Sequence, residues 1–154
     1  MAIGACGSSS DTGYAGSGGT TSSGSSGWTS EETSYADDVG SDTDMMAASF
    51  SDFGERVGNW PYSEDDTYAL ATDCATWQST YDKYKDMASP SDRFATMHDD
   101  WVSGLGCYSE AGDLFARGVD NFDSSLIDAA DAKINEGLDY ISQASDELSR
   151  IQSE

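Results

Sequence analysis

The stretch that most constrains this chain is Ser63 to Phe122, which reads as two helices folding back on each other about Pro90. Leu70, Cys74, Trp77, Tyr81, Tyr84 and Ala88 recur at spacings of three and four before the proline. Phe94, Met97, Trp101, Leu105, Tyr108, Phe115, Val119 and Phe122 continue the pattern after it. Ser89-Pro90-Ser91-Asp92 has the form of a helix start: a capping serine, proline at the first helical position, an acid in the first turn. Cys74 and Cys107 stand at nearly equal distances on either side of Pro90. Antiparallel helices leaving one tight turn carry such residues at the same height. The expectation is therefore a disulfide between Cys74 and Cys107, with Tyr84 facing Met97 and Tyr81 facing Trp101. Closing a loop of about 34 residues, that bond would stabilise the fold by roughly 3–4 kcal/mol. It would also place the chain in an oxidising compartment.

The flanking segments extend the helical pattern. Thr29-Ser30-Glu31-Glu32 is a capping box opening a region with Tyr35, Val39, Met46, Phe50, Phe53 and Val57 at helical spacing. Gly40-Ser41 interrupts it, so either one bent helix or two short ones are expected. Asp123-Ser124-Ser125 caps a last helix striped by Ile127, Ala130, Ile134, Leu138, Ile141, Ala144, Leu148 and Ile151. Alternating β-branched runs and Asn-Gly turns are absent. The fold class is all-α: a small antiparallel up-down bundle of three long helices and a shorter or broken first one. It occupies residues 28–154, after a flexible Gly/Ser-rich tail of residues 1–27. Gly104, Gly106, Gly112 and Gly118 weaken a helix interior and mark either close helix approach or a kink beside Cys107.

Charge limits the partners. With 29 acidic residues against 7 basic ones the net charge is −22. Nucleic acid and anionic headgroups need a cationic face, which this composition does not supply. No apolar stretch is long enough to span a bilayer.

The start of the chain, Ile3-Gly4-Ala5-Cys6 followed by Gly7 and a run of serines, resembles the lipobox and mature start of a secreted lipoprotein. The layout is similar to that of small lipoproteins of Gram-positive bacteria, actinobacteria especially. The resemblance implies diacylglycerol on the Cys6 thiol, a membrane partner reached through that anchor, and a cell-surface, extracytoplasmic location. Residues 7–27 would then be a spacer with a root-mean-square span of roughly 25 Å. Such a box normally follows a basic and an apolar leader; neither precedes Ile3, and the expectation is a start that has been trimmed or misplaced.

No catalytic set emerges. His98 is the only histidine, and position 95 is Ala where a di-iron bundle would carry Glu. EF-hand spacing is absent from the acid clusters, so no metal and no cofactor are expected. The reading is a non-enzymatic surface lipoprotein acting by binding or by occupying space, with phage superinfection exclusion as one specific version. One alternative is an extracytoplasmic carrier of a small ligand or cation, with Trp77, Tyr81 and Trp101 lining its pocket. Another is a subunit of an extracellular assembly with a protein partner at the cell surface. Trp28 and Trp60, at helix boundaries, are candidate exposed anchors.

Overall fold

The computed structural model describes residues 27–59 and 61–154. The lipobox-like start with Cys6, the tail up to residue 26, and Trp60 lie outside the described residues. The described chain is a bundle of four helices, α1 (Ser30–Val57), α2 (Glu64–Tyr84), α3 (Ala95–Asn121) and α4 (Ser124–Gln152), with one 3-10 turn at Asp92–Phe94. No strand occurs among the described residues, and none of these helices is long and apolar enough to cross a membrane.

Three helix starts follow from their caps. The Thr29 hydroxyl accepts from the Glu32 N–H while the Glu32 carboxylate accepts from the Thr29 N–H, the reciprocal pair of a capping box. Ser63 accepts from Asp66 and begins α2; Asp123 accepts from Ser125 and begins α4. Gly40-Ser41 does not divide α1, which runs through as one helix.

Helix α3 is the hub, packed against α2 on one side and along α4 on the other. The α3–α4 turn consists of Phe122 and Asp123 alone. Phe122 holds a left-handed conformation at φ 53°, and the Asp123 N–H reaches back to the Gly118 carbonyl at 2.8 Å. Glycine then brings the two helices together backbone to backbone. A Cβ on Gly137 would lie 3.0 Å from the Gly104 carbonyl, and one on Gly104 would lie 3.1 Å from the Gly137 carbonyl. Close approach, and no break in α3 beside Cys107, is what these glycines provide.

The disulfide expected between Cys74 and Cys107 does not form; both thiols are free. The cause is register. Cys74 faces Gly112, at 3.2 Å from its notional Cβ, and Tyr81 faces Gly106 at 3.4 Å. Tyr84 meets Trp101 edge to face with ring centroids 5.7 Å apart, where the hairpin reading paired it with Met97. Opposite positions are thus displaced by five residues, roughly 7.5 Å along the axis. Helix α2 stops at Tyr84, and α3 begins only at Ala95, after the 3-10 turn. The chain between them climbs beyond the end of α2 instead of turning at Pro90. The first turns of α3 therefore overhang α2 and pack on the start of α1, where Tyr35 sits edge-on to Phe94 at 6.1 Å.

Polar contacts fasten α1 along its length to α2 and to that overhang. Glu32, 3 % exposed, accepts from Arg93 Nε at 2.8 Å, a terminal Arg93 nitrogen at 2.6 Å, the Ser91 hydroxyl at 2.6 Å and the Thr29 N–H at 2.8 Å. The Arg93 guanidinium, then Ser91 and Thr29, hold this carboxyl down to about 2. Midway, Asp42 accepts from the Tyr84 hydroxyl and from Lys83, both at 2.7 Å. Farther on, Trp77 Nε1 donates to the Ser49 hydroxyl at 3.0 Å, which donates to Asp73 at 2.8 Å.

Candidate functional site

Helices α1 and α4 are neighbours that do not close on each other. Between them lies a groove of about 330 Å³ walled by Val39 and Thr43 from α1 and by Ile141, Ala144 and Leu148 from α4. Met97 and Trp101 of α3 form its floor. A smaller hollow of about 110 Å³ continues it past Met46, Ala47 and Phe50 to Tyr108 and Leu138, sharing Thr43, Trp101 and Ile141. The opening follows from the local sequence. The glycine contact draws α4 tightly onto α3, and the polar ties draw α1 toward α2, so the two outer helices are held apart. Leu138, a member of the regular α4 stripe, is left 50 % exposed at the edge of this seam.

Trp101 gives the groove its chemistry. The residue is 2 % exposed, and its indole N–H has no hydrogen-bond partner. Leaving such a donor buried and unpaired costs about 1–3 kcal/mol. Trp77, by contrast, has its N–H satisfied by Ser49. Two other buried side-chain atoms share the condition among the described residues: Arg56 Nε and Asp73 Oδ2, at the α1–α2 seam. Burial raises the Asp73 carboxyl above its ordinary value, against the smaller lowering effect of Ser49.

Of the three aromatic residues placed on one lining by sequence, only Trp101 borders the groove. Trp77 is wholly buried between Phe50 and Phe53, with centroids 4.7 and 4.8 Å away. Tyr81 lies on the α2–α3 seam against Gly106. The five-residue displacement separates them. Val39, Thr43, Ile141 and Leu148 were missed as lining residues; the half-exposed Leu138 within an otherwise regular stripe is a trace of the opening, but visible only as exposure.

Other chemistry-bearing residues are occupied elsewhere. His98 is buried and shares a 2.7 Å hydrogen bond through Nδ1 with the Tyr35 hydroxyl. Cys74 borders a separate hollow of about 210 Å³ between α2 and α3. Burial first, and the charge of Asp73 second, push its thiol up to about 12, which keeps it protonated and unreactive at neutral pH. Burial likewise raises the Cys107 thiol, on the side of α3 that faces Lys133 and Glu136 of α4. Trp28 is no exposed anchor: it packs edge-on to Phe94 at 5.2 Å, with the Arg93 guanidinium 5.7 Å above its ring. No group of three or more His, Cys, Asp or Glu among the described residues is placed to hold a metal. Comparison of the chain with protein-family models, curated proteins and solved structures finds no match.

Proposed function

We propose that this chain is a non-enzymatic binding protein of the cell exterior. It is an acidic helical bundle held to a membrane by lipid on Cys6, and it takes its ligand between α1 and α4. The observation that carries the binding half is Trp101: a buried indole donor without an acceptor, on the floor of a groove whose walls are mostly apolar. Binding sites combine apolar walls with a few placed polar groups in this way. A non-enzymatic role is supported by the state of the reactive side chains, with His98 bonded to Tyr35 and Cys74 held as the thiol. With both bundle thiols free, the exterior location rests on Ile3-Gly4-Ala5-Cys6 and on a net charge of −22.

Mass spectrometry of the protein taken from the membranes of its source tests both halves. The expected result is an acyl mass on Cys6 and, under native conditions, a retained small molecule that is missing when Thr43→Trp, at a wall shared by the groove and its smaller continuation, fills the space beside Trp101. An unmodified Cys6 removes the anchor. A wild-type protein that carries no more than the Thr43→Trp variant removes the groove as a binding site.

A further inference from the structure

Three of the four seams around this bundle carry a polar tie. Asp42 joins α1 to Lys83 and Tyr84 of α2; Ser109 of α3 donates to Gln78 of α2; Lys133 of α4 pairs with Glu110 of α3 at 3.1 Å. Among the described residues no hydrogen bond or ion pair joins α1 to α4. That fourth seam is the one without a polar tie, and Trp101 forms its floor. Its indole N–H is buried there without a hydrogen-bond partner.

We infer that this seam binds an uncharged, largely apolar molecule carrying one hydrogen-bond acceptor oxygen, which the Trp101 indole N–H engages. The inference rests on the reading of the chain as a binding protein and adds the class of its ligand. Val39, Met97, Ile141 and Leu148 offer contact to an apolar body. A pure hydrocarbon would leave the indole donor as unpaired as it is in the free protein, whereas an acceptor oxygen would satisfy it, so an acceptor is favoured. An anion is disfavoured: no lysine or arginine lines the groove, and all seven basic residues of the chain stand in ion pairs elsewhere. The one acid in the wall, Asp44, would repel a negative group. A cation finds there only that exposed carboxylate, which holds an ion weakly in water.

The test compares 1-tetralone with tetralin, two probes of nearly equal shape of which only the ketone has an acceptor. The full chain, labelled with nitrogen-15, is titrated with each while the indole N–H resonances are followed. Tetralone is expected to bind about tenfold more tightly, the equivalent of one good hydrogen bond, and to shift the Trp101 indole proton downfield while Trp77 stays in place. In Trp101→Phe the preference falls to about one; should that variant not fold, the wild-type indole resonance still decides. Equal affinities with an unmoved Trp101 indole proton overturn the acceptor and leave a groove-binding protein standing. Failure of both probes, with a native ligand still retained in mass spectrometry, overturns this ligand class alone; failure of both with no native ligand removes the binding reading as well.

Discussion

One methyl group at residue 137 would set how closely two helices of this bundle approach. A Cβ there would fall 2.5 Å from a Tyr108 ring carbon and 3.0 Å from the Gly104 carbonyl, and the backbone cannot yield as a side chain can. Gly137→Ala is expected to destabilise the protein by about 1–3 kcal/mol through overpacking. Gly54, in the last turn of α1, has open space around its Cβ position, and Gly54→Ala should stabilise by up to about 0.5 kcal/mol. Urea unfolding of the two variants reads these opposite signs. Glu32 sets an acid limit at the same scale. Its carboxyl falls from an ordinary 4.5 to about 2 in the fold, so its contribution is complete above 4.5 and lost as pH drops toward 2. Glu32→Gln should be less stable than wild type at neutral pH, and the difference should shrink between pH 4.5 and 2 when unfolding is followed by circular dichroism. Asp73 acts in the opposite sense. Burial raises its carboxyl above 3.8, so its contribution is complete below 3.8 and fades as pH rises through the raised value.

At the scale of elements, caps and stripes were legible and register was not. Thr29, Ser63 and Asp123 mark three of the four helix starts because a cap is a local bond within three residues. The start of α3 was placed too early because Ser89-Pro90-Ser91-Asp92 satisfies the local rules for a helix, while Asp92–Phe94 forms only a 3-10 turn. That difference is non-local. Arg93 and Ser91 are held by Glu32 from a distant part of the chain, and Trp28 and Tyr35 cover Phe94. Once the connection climbs past α2, the symmetry of Cys74 and Cys107 about Pro90 loses its meaning. Trp101 was legible as a large aromatic group on the right helix face, but the missing partner of its N–H is set by tertiary packing, which no local pattern records. The melting temperature is accordingly expected to be the same with and without reductant, and both cysteines should react with a maleimide in denaturant with no reductant added. A reductant-dependent loss of stability would restore the cross-link between them.

For the whole molecule, charge and topology act together. Each of the seven basic residues stands in an ion pair, so no cation is left for the remaining carboxylates among the 29. Their mutual repulsion works against the compact state. Raising salt from about 0.01 M to about 0.15 M shortens the screening length from roughly 30 Å to roughly 8 Å. The melting temperature should rise over that interval, as differential scanning calorimetry can follow. Topology concentrates the weakness of the bundle in one place: α4 is locked on α3 by Gly104 and Gly137, α1 is tied to α2 and the overhang, and the seam between α1 and α4 is left without a polar tie. Hydrogen exchange at the two core indoles tests that arrangement most directly. The Trp77 N–H, bonded to Ser49, should exchange only with global unfolding, while the Trp101 N–H should exchange well ahead of it through local parting of the seam. Equal exchange of both at the rate of global unfolding would show a bundle closed on all four sides and would contradict the account.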